Sequence, residues 1–155
     1  DLTRDAEAVA QLHADLDRFD LSTRVSVLGA IDSAQLQTLY AQADVFVLAS
    51  RFEGYGMAYA EALAHGLPVI GTTAGAIPDT VPATAGLLAE PGDVNSLLNA
   101  LRQIIQDQAL RKSLSQGALL AAAQQPSWAD CARLFEEVVE RTCANAALDN
   151  SDALR

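Results

Sequence analysis

The chain has 155 residues, 50% of them hydrophobic and only 5% aromatic, so it can bury a substantial core built mainly from Ala, Leu and Val, and global disorder is excluded. Ten Lys and Arg face twenty Asp and Glu, a formal charge of −10, which argues against a nucleic-acid groove and against a basic patch for anionic lipid. No apolar run reaches the roughly 18–20 residues that span a bilayer, and residues 1–10 carry no signal-peptide pattern.

Helical and strand signals alternate, as they do in α/β proteins. Ala6, Val9, Ala10, Leu12, Leu16 and Phe19 recur at helical spacing over residues 3–19, with Thr3 or Asp5 as the cap. Residues 24–28 read as a short strand ending at Gly29. Asp32 or Ser33 opens a helix through Leu36, Leu39 and Tyr40. Residues 45–49 form a continuous apolar run, the pattern of a strand buried on both faces. A glycine-rich turn, Glu53-Gly54-Tyr55-Gly56, leads into a helix over residues 57–65, and Gly66 is its stop. Residues 68–71 and 85–89 are two more short strands. After Pro91-Gly92 three helices are expected: from Asp93 to about Gln106, over residues 108–123, and over residues 127–144. Residues 145–155 read as a small, polar, flexible tail.

Parallel strands joined by helices place their ligand sites outside the carboxyl ends of the strands. Three loops leave that edge: residues 29–32, 50–56 and 72–79. Parallel strands would bring all three to one crevice. Only four strands are evident and the chain opens on a helix, so the expected fold is a Rossmann-like parallel sheet that lacks its first strands.

Chemistry concentrates in residues 51–70. Gly54 and Gly56 remove side chains where the backbone turns and a ligand can approach. The helix behind them offers unpaired N–H groups and the positive end of its dipole, which suits phosphate. Glu53 stands before the turn. Glu61 lies eight residues on, sharing a helix face with Met57, Ala58, Ala64 and His65. The plain alternative is a tight turn with two solvated glutamates.

The whole segment is more specific than that. Glu53, Gly54, Tyr55, Gly56, Glu61, Ala62, Leu63, Ala64, Gly66, Pro68, Val69 and Ile70 together resemble the Glu-x7-Glu signature of retaining glycosyltransferases with the GT-B fold, glycosyl transferases group 1. Residues 21–29 and 39–50 are similar to the run before that motif. Residues 73–79 are similar to the family's Gly-Gly-x-Pro-Glu loop, with Ala76 and Asp79 as departures. Gly86-Leu87-Leu88, Pro91-Gly92-Asp93 and Pro126-Ser127-Trp128 fit as well.

The resemblance implies that residues 1–144 are the nucleotide-sugar-binding, C-terminal half of a GT-B enzyme, a hexosyltransferase. Carried over, Glu53 is the catalytic-centre residue that contacts hydroxyls of the donor sugar, and Glu61 holds the ribose hydroxyls. Gly54, Gly56, Met57, Ala58, Thr73 and Gly75 complete the donor site. The nucleotide-diphosphate sugar is a substrate, and no cofactor and no metal are expected. The acceptor would bind an N-terminal domain absent here, so the chain alone is expected to be inactive. The family's diphosphate-clamping Arg and Lys follow the domain's first strand. No matching segment occurs, and Lys112 is the only lysine. The full enzyme is expected in the cytoplasm, with peripheral membrane association.

The rival readings are a nucleotide-sugar epimerase or a phosphorylase of the same architecture, and a non-catalytic nucleotide-binding module. A phosphorylase would carry pyridoxal phosphate on a lysine, for which no placed lysine exists. A hydrolase pair of carboxylates is set aside, because one glutamate is better used on ribose. Asp15-Leu16-Asp17 spells a metal-binding Asp-x-Asp, but in an amphipathic helix it reads as a solvated face. His65 lies four residues after Glu61 and could pair with it, but it reads rather as a helix end favouring a cation. Asp79 is balanced between a cap and a ligand role. Arg51 is read as solvated or as a steering charge, and Trp128 as a packing anchor for the last helix. Cys131 and Cys143 lie twelve residues apart in one helical stretch. That is about 18 Å at 1.5 Å per residue, too far for a bridge, so both read as reduced thiols.

Overall fold

The computed structural model describes residues 5–152, with side chains through residue 143. The chain divides into two compact units, Asp1–Asp44 and Val45–Arg155.

In the first unit, α1 (Ala6–Arg18) starts where Asp5 accepts a hydrogen bond from the Ala8 N–H at 2.9 Å. The second helix, α2 (Ser33–Gln42), opens on a reciprocal capping box. Asp32 accepts from the Gln35 N–H at 2.8 Å, and the Gln35 side chain accepts from the Asp32 N–H at 3.2 Å. Leu16 and Tyr40 are buried. Asp15 accepts from Gln11 and Asp17 from Ser22, both exposed, so this pair decorates a solvated helix face.

Residues 24–28 depart from the expected strand. The N–H groups of Arg24 and Val25 both bond back to the Leu21 carbonyl at 2.8 and 2.9 Å, forming a turn, and residues 25–28 carry no ladder. A strand exists only through a neighbour that satisfies its backbone groups. Among the described residues of this unit there is no second strand.

The second unit holds a three-stranded parallel sheet in the order β1 (Phe46–Val47), β2 (Val69–Thr72), β3 (Gly86–Ala89). Phe46 pairs with Val69, and Val69 in turn with Gly86. Every residue of β2 is buried, as in a central parallel strand covered on both faces; its one polar side chain, Thr72, is satisfied by the Ser50 carbonyl. The helices of this unit are α3 (Met57–Ala64), the single turn α4 (Ile77–Thr80) and α5 (Val94–Gln106), which pack on β2 or β3, α6 (Gln108–Gln124), which packs on α3 and α5, and α7 (Trp128–Asp152).

Ile70 of β2 packs in one core with Ala100 and Ile104 of α5 and Leu114 of α6. Helix ends are closed by the residues the sequence offers. Asp93 caps α5 and Asp107 caps α6. Gly66 and Leu67 bond back to the Leu63 and Ala62 carbonyls, the Schellman ending expected for α3. The Arg111 guanidinium donates to the carbonyls of Ile104 and Ile105, where the C-terminus of α5 favours a cation.

Helix α7 continues past residue 144, where the sequence pattern placed its end. Trp128 is 89% exposed and Phe135 72% exposed, so Trp128 is not the packing anchor expected. The reason is the apolar face of α7, which finds no cover among the described residues. Cys131 and Cys143 are both free and exposed.

Candidate functional site

Two loops leave the carboxyl ends of neighbouring strands in the second unit: residues 48–56 after β1 and residues 73–76 after β2. Their meeting is built from the backbone outward. The Ala76 N–H donates to the Glu53 carbonyl at 3.0 Å. Gly75 has φ +56°, and a β-carbon there would drive into the Glu53 backbone. Only glycine lets the two loops approach so closely. The Thr72 hydroxyl donates to the Ser50 carbonyl at 2.6 Å, and the Thr80 hydroxyl donates to the Tyr55 carbonyl at 2.6 Å. Three bonds therefore clasp the motif loop to the next connection. The third of the expected loops, residues 29–32, lies in the first unit and forms the cap of α2.

Tyr59 is the floor of this loop. It is fully buried on the inner face of α3 beside Ala62 and Leu63. Its hydroxyl donates to the Leu48 carbonyl at 2.6 Å, and its ring meets Phe46 edge-on at 5.7 Å. Burial raises its phenol above the ordinary value; hydrogen bonding with Ser50 opposes this, and the negative charge of Glu53 adds to it.

The expected ligand-binding residues distribute as follows. Glu53 is half-buried, and its carboxylate accepts from the Ser50 hydroxyl at 2.8 Å. Gly56 is buried with φ +84° and stands at the N-cap of α3, which has no side-chain cap. The first-turn N–H groups of Met57 and Ala58 thus lack the side-chain acceptor that closes α5 and α6. A side chain at Gly54 would meet nothing within 4 Å, so the protein's own packing does not demand glycine there. Met57 and Glu61 lie on the exposed face of α3, opposite Tyr59. Thr73 is exposed; its N–H donates to the Ala89 carbonyl and its hydroxyl reaches Glu90 at 3.5 Å. Arg51 and Phe52 are exposed beside the motif.

Asp79 does not cap α4; Ala76 holds the cap position, and Asp79 sits within the first turn. It lines a cavity of about 510 Å³ together with Tyr55, Thr80, Gln124 and Pro126. Neither motif glutamate lines that cavity. Among the described residues, no cluster of His, Cys, Asp and Glu is arranged to hold a metal ion, and no helix is long and apolar enough to cross a membrane.

The motif reading did not single out Ser50, Tyr59 or Thr80. Each acts through one hydroxyl on a backbone or side-chain acceptor of the motif loop. Ser50 lies in the loop after β1, Tyr59 within α3 and Thr80 at the end of α4, and a hydroxyl at any of these places carries no local sign of its partner.

A parallel sheet with flanking helices and a glycine-led helix behind its first strand is a Rossmann-like arrangement, and its match to solved glycosyltransferases gives the class: the GT-B glycosyltransferase fold. Residues 3–107 match the family model described as glycosyl transferases group 1, and the chain belongs to that family. It is 36% identical over 107 residues to the O-antigen chain mannosyltransferase B of Escherichia coli, covering 69% of this chain and 28% of that protein. Among solved structures, it superposes on sucrose-phosphate synthase from Thermosynechococcus elongatus with a TM-score of 0.81 and 30% identity, over 94% of this chain and 37% of that one. It also superposes on Anabaena Alr3699/HepE in complex with UDP-glucose, with a TM-score of 0.76 and 26% identity, over 92% of this chain and 38% of that one. The chain therefore spans well under half the length of each of these relatives.

Proposed function

We propose that this chain is the donor-binding part of a retaining glycosyltransferase, which moves a hexose from a nucleotide-diphosphate sugar to an acceptor. The observation that carries the reading is the clasped loop of residues 50–56. It sets Glu53 and the uncapped start of α3 side by side on one short, rigid turn. One relative of the same fold was solved with UDP-glucose bound, which supports this class of ligand.

In this reading the amides of Gly56, Met57 and Ala58 face diphosphate and sugar oxygens, and the α3 dipole adds positive potential there. Gly54 leaves room for the ligand, and Thr73 and Gly75 border it from the second loop. Glu53 accepts from sugar hydroxyls close to the reacting carbon, and Glu61 accepts from the ribose. During transfer the bond from the anomeric carbon to the diphosphate oxygen breaks, and its electron pair leaves with the diphosphate. The acceptor oxygen bonds to the same carbon on the same face, and its proton passes to the departing diphosphate oxygen. The amides and dipole stabilise the departing charge.

The proposal extends to residues 1–144 as the domain that carries this site. Donor sugar is the substrate, and no cofactor or metal takes part. Acceptor binding belongs to a separate N-terminal domain, without which the chain does not turn over. The complete enzyme works in the cytoplasm with peripheral membrane contact, a setting that keeps Cys131 and Cys143 reduced.

Calorimetric titration of the chain with UDP-glucose and GDP-mannose tests the reading. Saturable binding to one of them, weakened in Glu61→Ala, is expected. No binding to any nucleotide-diphosphate sugar would leave a scaffold without a donor site.

A further inference from the structure

Glu53 has three side-chain torsions and stands on a loop, so nothing in its own chemistry fixes where its carboxylate points. The loop supplies what the residue lacks. The Ser50 hydroxyl donates to one carboxylate oxygen of Glu53 at 2.8 Å. A serine has a single O–H to give, and here it goes to Glu53. Ser50 is itself held from a second strand: its carbonyl accepts from the Thr72 hydroxyl at 2.6 Å across twenty-two residues of sequence. The backbone of Glu53 is fixed separately, through its carbonyl and the Ala76 N–H. Main chain and side chain of Glu53 are thus pinned by different partners, and one carboxylate oxygen is left for a further donor.

We infer that Ser50 is the positioning residue for Glu53: its hydroxyl locks the carboxylate in the orientation that meets hydroxyls of the donor sugar. This rests on the donor-binding reading above. Ser50→Ala removes the hydroxyl, and with it the interaction with the Tyr59 phenol, but leaves the framework of the loop, and the Glu53→Ala background below separates the two contributions. The carbonyl that Thr72 binds stays in place, and Tyr59 keeps its bond to the Leu48 carbonyl.

The test compares UDP-glucose with UDP, and GDP-mannose with GDP, on the full chain. The ratio of the two affinities isolates the contribution of the sugar. In Ser50→Ala that ratio should fall about tenfold, the size expected for one hydrogen bond to a charged group. Affinity for the nucleoside diphosphate alone should not change. Ser50→Thr should restore the ratio. In a Glu53→Ala background, Ser50→Ala should cost nothing more, because the group it orients is gone. Equal losses in both backgrounds would overturn the inference.

A ligand-free measurement separates this inference from the donor-binding reading. Three-bond NMR couplings of the Glu53 side chain should report a single rotamer in the wild type and in Ser50→Thr, and an average in Ser50→Ala. An unchanged rotamer in Ser50→Ala would overturn the inference whatever the chain binds. Wild-type protein that binds the sugar nucleotides no better than the bare diphosphates would overturn the donor-site assignment of Glu53.

Discussion

Helices α3 and α5 begin in opposite ways. α5 starts behind Asp93, whose carboxylate accepts the N–H groups of Asn95 and Ser96 at 2.8 and 3.2 Å. α3 starts behind Gly56, in a left-handed conformation and with no side-chain cap. α5 is strongly amphipathic and buries Ala100 and Ile104 on one stripe. α3 has only eight residues, too few to be stable by itself. It is held by the buried Tyr59, Ala62 and Leu63 and by packing against α6, β2 and α4. One helix thus obeys local rules and closes its own end. The other depends on tertiary packing and keeps its first-turn amides for whatever approaches the motif loop.

The strongest way to break this comparison is to remove the floor of α3. Tyr59→Ala deletes a fully buried ring and should lower stability by about 3–5 kcal/mol, read by chemical denaturation. Tyr59→Phe, which keeps the ring and loses the hydroxyl's bond to the Leu48 carbonyl and its interaction with Ser50, should cost about 1 kcal/mol. A small loss in Tyr59→Ala would mean that α3 stands without its tertiary support.

Gly75→Ala comes next. The new β-carbon collides with the Glu53 backbone at a positive φ, so a loss of about 2 kcal/mol is expected. Nucleotide-sugar binding should fall with it, because the clasp must open. Asp93→Ala provides the contrast: about 1 kcal/mol lost from the missing cap, with binding unchanged by calorimetry. Binding lost in Asp93→Ala would erase the distinction between the two helix starts.

Two pH effects are smaller. The Tyr59 phenol titrates above its ordinary 10.0 in the folded protein, chiefly through burial. Its neutral form is favoured by folding, so this contribution is whole below pH 10.0 and disappears as pH rises through the folded value. Alkaline melting curves should therefore be shallower for Tyr59→Phe than for wild type. Asp130 is shifted the other way, below 3.8, because the Ser127 side chain and N–H bond to its carboxylate. That contribution is present above pH 3.8 and is lost as pH falls through the folded value. Acid titration of helicity should be flatter in Asp130→Asn, by a margin suited to an exposed pair.

Much of the second unit was legible because its signals are local. The apolar runs at residues 68–71 and 85–89 became β2 and β3. Asp93 capped the helix that follows it, and Gly66 ended α3. The motif residues could be named because their types and spacing are specific. The strand expected at residues 24–28 failed for a physical reason: apolar alternation permits a strand, but a neighbour makes it. Trp128 failed similarly, since an aromatic residue at a helix start does not reveal whether anything packs over it.

By itself, then, the sequence determined the parallel-sheet architecture, the helix ends and the family motif, all consequences of periodicity, capping chemistry and residue identity over short spans. Only the tertiary structure decided how the motif is held. The bonds from Thr72 to Ser50 and from Thr80 to Tyr55 span twenty-two and twenty-five residues. No local rule selects such partners; the parallel register of β1 and β2 does, by bringing the ends of both strands to one edge.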